Sequence, residues 1–279
     1  MTDSQDGKIL RAAELLQKGG VLAITGAGIS TASGIGDYRD ANGQWKRGEP
    51  IQHQDFVRTH IMRQRYWARS QKGFPEFSRA APNSAHAILA GWEEQGQLVG
   101  LITQNVDRLH QAAGHRQVID LHGRLDQVVC LACSQLSSRK DLQAWLEDKN
   151  PDVQEDFYTL RADGDAELER QDFSAVQVPE CSCGGTLKPN VVFFGDAVSK
   201  LVVSRAYDWV EQATSLVVVG SSLMVFSSFR FVRKAHQLGL PILIINQGVT
   251  RADELATLKL EGDCGALLEL VTRKAGLTI

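Results

Sequence analysis

The sequence lacks a long hydrophobic run, a concentration of positive charge and an export signal. No apolar run approaches the roughly 18 residues that a membrane-spanning helix needs, so we expect no membrane partner. The formal net charge is -3 and Lys and Arg form no block, so we expect no long-range attraction to nucleic acid. Residues 1–6 contain neither the basic nor the apolar stretch of a secretion signal, and we expect a cytoplasmic protein.

Cysteine is also scarce, with five residues in a chain of 279. Four of them form two close pairs, Cys130/Cys133 and Cys181/Cys183, and the fifth is Cys264. Without an export signal, this pattern favours a metal over disulfides. Four thiolates suit a tetrahedral structural Zn²⁺, although the second pair has one intervening residue where two are usual. The alternative is four reduced thiols without a ligand.

Short apolar runs alternate with helical patterns along the chain. The runs lie at 21–25, 98–103, 191–194, 215–219 and 241–245, and helices are predicted at 8–17 and 201–213. Strands that alternate with helices of this length indicate a mainly parallel sheet covered on both faces. With 43% hydrophobic residues the chain can form a sizeable core. We therefore predict an α/β fold with a doubly wound, Rossmann-like sheet.

Two stretches break the alternation and predict a smaller inserted domain. We expect one catalytic domain over 1–279, with a large part at 1–36, 82–123 and 189–279. The smaller part comprises 37–81, with a helical centre near 61–70, and 124–188, which holds both cysteine pairs. Within it, 147–172 has ten acidic residues against three basic ones, so we expect an exposed and mobile excursion there.

A glycine-rich segment follows the first predicted strand. Gly26-Ala27-Gly28 and the next two residues could let backbone N–H groups and a helix N-terminus approach a phosphate. The usual dinucleotide fingerprint requires glycine at the position of Thr31, and the next glycine comes at Gly34. A tight structural turn is therefore an equal alternative.

Polar residues also follow other predicted strands. Gln104, Asn105 and Asp107 come directly after the run at 98–103, and His122 follows within twenty residues. Ligands of open α/β sheets bind at the carboxyl ends of strands, and a neutral imidazole can serve as a general base. The alternative for His122 is a hydrogen-bonded core histidine. Segments 220–223 and 246–248 could likewise contact phosphates and ribose, or form ordinary turns.

Together these motifs resemble the sirtuin family of NAD-dependent protein acyl-lysine deacylases. The resemblance spans about 8–270 and is carried by Gly26-Ala27-Gly28-Ile29-Ser30, Gly34-Ile35-Gly36-Asp37-Tyr38-Arg39, Thr103-Gln104-Asn105-Val106-Asp107, Leu121-His122-Gly123, the cysteine pairs, Val192-Phe193-Phe194-Gly195-Asp196, Gly220-Ser221-Ser222-Leu223 and Asn246. Segments 50–53 and 63–69 are most similar to class II, the branch of the mitochondrial lipoamidase-type sirtuin and its bacterial relatives. Gly36 departs from the family pattern, which commonly has proline there.

The resemblance implies a site for NAD as co-substrate and a structural Zn²⁺. The residues implied for NAD are Gly26, Ala27, Gly28, Ser30, Tyr38, Arg39, Gln104, Asn105, Asp107, Gly220, Ser221 and Asn246, with Cys264 near the adenine. Among the catalytic residues, Asn105 and Asp107 would orient the nicotinamide end, and His122 would remove a proton from a ribose hydroxyl. Acyl-lysine would lie between Phe194-Gly195-Asp196 and Met224-Val225, and nicotinamide, lysine and acyl-ADP-ribose would be released.

The acyl preference and the reaction type leave alternatives open. Tyr66-x-x-Arg69 resembles the pair with which desuccinylase-type sirtuins bind a distal carboxylate, and at helical spacing the two side chains share a face. A packed Tyr and a surface Arg are the alternative. The partners expected are acyl-lysine proteins, and the chain is expected to be a monomer. Rival functions are mono-ADP-ribosyl transfer, a non-catalytic sensor of NAD or acyl-lysine, and a zinc module for nucleic acid.

Overall fold

The computed structural model describes residues 4–38, 40, 42–44, 46, 51–160 and 166–278. The strands are β1 (Val21–Thr25), β2 (Leu98–Thr103), β3 (Val118–Asp120), β4 (Gly123–Cys130), β5 (Leu136–Ser138), β6 (Tyr158–Leu160), β7 (Ala166–Leu168), β8 (Leu187–Val191), β9 (Ser215–Val219), β10 (Ile242–Ile245) and β11 (Leu258–Leu260). The helices are α1 (Gln5–Gln17), α2 (His53–Arg58), α3 (His60–Ser78), α4 (Ser84–Glu94), α5 (Leu109–Ala112), α6 (Arg139–Lys149), α7 (Lys200–Gln212), α8 (Phe226–Gln237) and α9 (Cys264–Lys274). Short 3₁₀ turns cover Ala27–Ile29, Thr31–Ser33, Pro151–Glu155 and Asp253–Leu255.

A parallel sheet forms the centre of the described chain. Within the described residues its six strands lie in the order β11-β10-β9-β1-β2-β3, and every neighbouring pair is parallel. Helices α1, α4 and α9 pack on one face, and α7 and α8 pack on the other. The predicted doubly wound α/β fold is confirmed, and the predicted runs at 21–25, 98–103 and 215–219 coincide with β1, β2 and β9.

The register of the sheet brings several strand ends together. Thr25, the last residue of β1, pairs with Thr103 at the end of β2 and with Val219 at the end of β9. Every residue of β1 is buried, as expected for a parallel strand with helices on both faces. The segments that follow these strands therefore leave the sheet side by side, at the edge where α/β proteins bind ligands.

The run at 191–194 was predicted as a strand of the parallel sheet, and that prediction is wrong. The strand is β8, which ends at Val191 and pairs antiparallel with β4 in a separate sheet of order β5-β4-β8. Beyond it, Phe193 packs against Tyr66, with ring centroids 5.4 Å apart, and the carbonyl of Phe194 accepts from the backbone N–H of His53 at 2.8 Å. A short apolar run cannot by itself distinguish a buried strand from a segment anchored by aromatic side chains.

The acidic stretch at 147–172 also differs from the expectation. It contains the antiparallel pair β6 and β7, and Val153, Ala166 and Leu168 are buried in a small core with Ala68 of α3. For these residues the expected exposure is wrong, because a few small and aliphatic side chains suffice to attach the hairpin to α3. Within the described ranges, no helix is both long enough and hydrophobic enough to cross a membrane.

Candidate active site

A cavity of about 430 Å³ lies at the carboxyl ends of β1, β2 and β9. The residues predicted for NAD and catalysis that line it are Gly26, Ala27, Gly28, Ser30, Tyr38, Gln104, Asn105, Asp107, His122, Gly220, Ser221 and Asn246. The residues predicted for the acylated substrate that line it are Tyr66, Phe194, Gly195, Asp196, Met224 and Val225. Most of the predicted site residues therefore share one cavity.

Two predicted site residues do not line the cavity, and a third, Arg39, lies outside the described residues. Cys264 begins α9, with its Sγ 3.8 Å from the backbone oxygen of Ile245, and it does not line the cavity; burial raises the pKa of its thiol to about 11. Arg69 does not line the cavity either, because its Nε donates to the backbone oxygen of Ala166 at 2.7 Å. The expectation that Tyr66 and Arg69 act together on an acyl carboxylate is not supported by this placement.

The glycine-rich segment after β1 packs directly against the segment after β9. A Cβ added to Gly28 would lie 2.9 Å from the backbone oxygen of Gly220, so only glycine fits without a shift. Ala27–Ile29 form a 3₁₀ turn, so the helix N-terminus expected here belongs to a single short turn. The backbone N–H of Gly28 donates to Gly220, and that of Ser30 donates to Ala27. Close packing between two loops thus accounts for this glycine, and phosphate binding here stays a prediction.

A chain of hydrogen bonds fixes the polar side chains beside this loop. Asn105 Nδ2 donates to Ser30 Oγ at 3.0 Å and to the backbone oxygen of Gly26 at 3.2 Å. Ser30 Oγ then donates to Asp107 Oδ2 at 2.7 Å, and Asp107 Oδ1 accepts from the backbone N–H of Leu109 at 2.9 Å. The amide and carboxylate are therefore held in place before any ligand arrives, which is the preorganisation that a reacting site requires.

His122 is held by two hydrogen bonds that fix its tautomer. Its Nδ1 lies 3.1 Å from the backbone oxygen of Gln104, and since a carbonyl only accepts, Nδ1 carries the proton. The unprotonated Nε2 accepts from the hydroxyl of Ser227 at 2.7 Å, and both residues line the cavity. Burial lowers the pKa of His122 from 6.5 to about 4. The hydrogen bond to the Gln104 backbone has the opposite, smaller effect and raises the pKa. The ring is therefore neutral near pH 7 and offers Nε2 as a proton acceptor.

Gln104 links His122 to the segment after β9. Its Nε2 donates to Ser221 Oγ at 2.7 Å, and its Oε1 accepts from Ser228 Oγ at 2.9 Å. Sequence reasoning missed Ser227 and Ser228, which lie at the start of α8. The available signal was the pair of consecutive serines that follows the predicted substrate segment Met224-Val225 after one residue, Phe226.

A second group of histidines lies behind this site and was also missed. His110 is buried between His86 and His115, with ring centroids 4.9 Å and 5.2 Å apart. The Thr25 hydroxyl donates to Thr103, so His110 donates from Nε2 to Thr25, at 2.8 Å. We call these three residues the histidine cluster. It supports the strand ends that carry Asn105, but it does not line the cavity.

The loop predicted to bind the peptide is anchored by charge. Asp196 Oδ2 lies 3.2 Å from His53 Nδ1 and 3.6 Å from the buried Nζ of Lys188. The ammonium of Lys188 also lies 4.5 Å from the ring centroid of Phe193, and desolvation by burial lowers its pKa. These contacts hold the segment Phe194-Gly195-Asp196, which lines the cavity.

The four predicted metal ligands converge on one point. The Sγ atoms of Cys130, Cys133, Cys181 and Cys183 all lie within 4.8 Å of one another, with Cys130–Cys183 at 3.6 Å and Cys133–Cys181 at 3.7 Å. Zinc–sulfur bonds of about 2.3 Å in a tetrahedron imply sulfur–sulfur distances of about 3.8 Å. The donor set therefore fits Zn²⁺ with no open position, despite the short second pair. A Cβ added to Gly185 would lie 2.6 Å from Cys130 Sγ, so the turn around the ligands needs glycine there.

The comparison with known families agrees with this geometry. A model described as "Sir2 family" matches residues 26–227. The chain belongs to the Sir2 family. This range contains the cavity residues from Gly26 to Ser227, together with the four cysteines.

Individual Sir2-family relatives match over most of their length. NAD-dependent protein deacetylase 2 of Bradyrhizobium diazoefficiens is 52% identical over 249 residues, which cover 89% of this chain and 91% of the relative. NAD-dependent protein lipoamidase sirtuin-4, mitochondrial, of Bos taurus is 49% identical over 255 residues, which cover 90% of this chain and 81% of the relative. A structure described as Sir2 with a p53 peptide and NAD+ matches with a TM-score of 0.76 at 30% identity, covering 94% of this chain and 96% of the other.

Proposed function

We propose that this chain removes acyl groups from protein lysine with NAD as co-substrate, and releases nicotinamide and acyl-ADP-ribose. The observation that carries the proposal is the tautomer of His122, whose unprotonated Nε2 faces a cavity shared with Asn105 and Asp107. Relatives named NAD-dependent protein deacetylase, about half identical over most of the chain, support the same activity. They do not favour mono-ADP-ribosyl transfer, the alternative reaction.

The protein groups supply positioning and one base. In the proposed reaction nicotinamide would leave as the acyl oxygen bonds to the ribose. His122 Nε2 would then take the proton of a neighbouring ribose hydroxyl, in place of its hydrogen bond from Ser227, so that this hydroxyl can attack the acyl carbon and lysine can leave. The carbonyl of Gln104 keeps the proton of the neutral ring on Nδ1. Asn105 and Asp107 orient the nicotinamide end. Such a base contributes about 10²- to 10⁴-fold to the rate.

The remaining residue assignments belong to the same proposal. The NAD pyrophosphate would lie along 26–30 with Tyr38 and Arg39, and the adenosine half would lie along Gly220, Ser221 and Asn246 towards Cys264. The peptide would pair with 194–196 and 224–225 as an added strand. The four cysteines would hold a structural Zn²⁺ remote from the chemistry. The division into a large part and a smaller part, at the boundaries given above, is proposed on the same grounds.

The cavity favours long or apolar acyl groups over acidic ones. Its apolar lining includes Ile51, Phe77, Leu125, Phe193 and Val198. Four carboxylates also line it, those of Asp37, Asp40, Asp107 and Asp196. Asp37 is paired with Lys46 and Asp196 with Lys188, so Asp40 and Asp107 are the two that would repel an acidic acyl chain. A relative named lipoamidase agrees with a long acyl group.

Mass spectrometry of the products from acetyl-, glutaryl- and lipoyl-lysine peptides with NAD tests both points. We expect acyl-ADP-ribose from each peptide that is turned over, with lipoyl ahead of glutaryl. Arg69→Met should leave the glutaryl-to-acetyl rate ratio unchanged, because Arg69 contacts the β7 backbone and not the cavity. If this ratio changed in Arg69→Met, Arg69 would be assigned again to binding the carboxylate of an acidic acyl group. ADP-ribose left on protein, without acyl-ADP-ribose, would contradict the proposed reaction.

A further inference from the structure

A second cavity, of about 470 Å³, opens between α7 and α8 beside the active site. We call it the α7–α8 groove and define it by Glu211 of α7 and by Phe226, Arg230, Arg233 and Lys234 of α8. Phe226 and Arg230 line both this groove and the active-site cavity. The groove is therefore a continuation of the surface at which the acylated substrate is proposed to enter.

Among the described residues, the groove carries more positive than negative charge. Lys234 is paired with Glu211 at 2.8 Å. Arg230 and Arg233 have no carboxylate partner within the part of the chain that the structure describes. The guanidinium of Arg230 lies 5.2 Å from the ring centroid of Phe226, and its Nε is buried without a hydrogen-bond acceptor. In a chain of net charge -3, this local excess is suited to a carboxylate.

Helical spacing places these side chains in a row that leads away from the active site. Arg230, Arg233 and Lys234 are separated by three and four positions, so they share one face of α8. From Phe226 to Gln237 the helix rises by about 16 Å, a distance that about five residues of extended peptide would span. An extended substrate that leaves the cavity along α8 would thus bring its side chains past both unpaired arginines.

We propose that the α7–α8 groove binds acidic side chains of the substrate protein, within about five residues of the acyl-lysine. The proposal rests on the proposed deacylation and adds the class of protein segment that is preferred. A nucleic acid is the competing occupant of a basic groove. Two unpaired arginines offer few phosphate contacts, and continuity with the peptide site favours a peptide.

Matched peptides and charge-reversal variants test the groove. One acyl-lysine peptide has alanine at the flanking positions, and two others have three glutamates on one side or the other. Arg233→Glu removes a groove cation that does not line the active-site cavity. The control is Arg273→Glu, an exposed arginine of α9, whose helix packs on the opposite face of the sheet. It changes the net charge by the same amount.

For the wild-type chain we expect a lower KM for one glutamate peptide than for the alanine peptide, with a difference that shrinks between about 50 and about 200 mM salt. Arg233→Glu should lower kcat/KM for that peptide about fivefold, and leave the alanine peptide and kcat unchanged. Arg273→Glu should change neither. Equal rates for all peptides in all variants would overturn the proposal. Binding of an oligonucleotide is measured with the same variants, and a loss of that binding in Arg233→Glu, without any effect on the peptides, would also overturn it. If no peptide yields acyl-ADP-ribose, the proposed function itself fails.

Discussion

His122 and His110 both have a pKa below the ordinary value of 6.5, yet they lie in different surroundings. His122 is half-buried and His110 is fully buried, and in each case desolvation is the largest cause of the lowered pKa. His122 lines the cavity, and its Nε2 accepts from a serine hydroxyl that a ligand could replace. His110 lies among two other histidines and a threonine, away from the cavity.

This difference in surroundings distinguishes a candidate catalytic base, His122, from a structural histidine with a similarly lowered pKa, His110. A shifted pKa indicates desolvation, which occurs in any packed interior, so by itself it does not identify a catalytic residue. The deciding features are an unprotonated nitrogen and a replaceable partner within reach of substrate. His122 has both. His110 has its Nε2 committed to Thr25, whose hydroxyl in turn donates to Thr103.

The largest expected effect is on chemistry at His122. His122→Ala should lower kcat for deacylation by about 10²- to 10⁴-fold, because the proton acceptor is lost while the cavity remains. The melting temperature should change little, since within the described residues the imidazole makes hydrogen bonds only with the Gln104 carbonyl and Ser227. Steady-state kinetics and thermal denaturation measure the two effects.

His236→Ala, a change at an exposed residue of α8, serves as the control for this variant. Wild-type turnover by His122→Ala would remove the assigned base. If His122→Ala instead had a much lower melting temperature, and lost activity only in proportion to its unfolded fraction, His122 would have a structural role like that of the histidine cluster.

The sequence predicted the site around His122, but it did not predict the histidine cluster around His110. Gln104, Asn105 and His122 could be placed together because parallel strands end at the same edge, and each residue follows such a strand. The histidine cluster combines residues of α4 and α5 with the segment before β3, which no local pattern connects. For the same reason the sequence could not indicate the hydrogen bond from Arg69 to Ala166, which is 97 positions away. Strands β3 and β11, of three residues each, are too short for a period to be recognised.

The second effect concerns stability at His110. His110→Ala should lower the free energy of unfolding by about 2–4 kcal/mol, through loss of a buried hydrogen bond and creation of a cavity. Turnover per folded molecule should fall far less than in His122→Ala, because His110 acts on Asn105 only through Thr25 and Thr103. Urea denaturation followed by kinetics on the folded fraction measures both. An unchanged stability would show that the cluster has no structural role.

Acid should weaken the fold through the histidine cluster. Burial lowers the pKa of His86 from 6.5 to about 4 and lowers those of His110 and His115, although nearby Asp107 and Glu93 oppose it. Below about pH 6.5 these histidines therefore bind protons in the unfolded chain but stay neutral in the folded chain. The contribution of the cluster to the free energy of unfolding is fully present above about pH 6.5. It falls as the pH falls below that value, and it continues to fall until the pH reaches the lowered pKa values of these histidines in the folded state.

Thermal denaturation between about pH 7 and about pH 5 measures this loss. His122→Ala should retain most of the acid sensitivity, because the three cluster histidines remain. If that variant became insensitive to acid, His122 would be the source and the distinction between the two groups would disappear. His110→Ala should be less sensitive than the wild type, since one of the buried neutral histidines is absent.

The smallest expected effect is at Ser227, which lines the cavity and donates to His122 Nε2. After the ribose oxygen has given its proton to His122 Nε2 and turned to the acyl carbon, the Ser227 oxygen can again pair with Nε2 and accept from it, and one such bond contributes about 1 kcal/mol. Ser227→Ala should therefore lower kcat about fivefold, leave the KM for NAD and the melting temperature unchanged, and be rescued by Ser227→Thr, which keeps the hydroxyl. A loss as large as that of His122→Ala would mean that Ser227 transfers the proton itself. No loss would mean that the ribose hydroxyl fully replaces it, and that the hydrogen bond at 2.7 Å matters only in the absence of NAD.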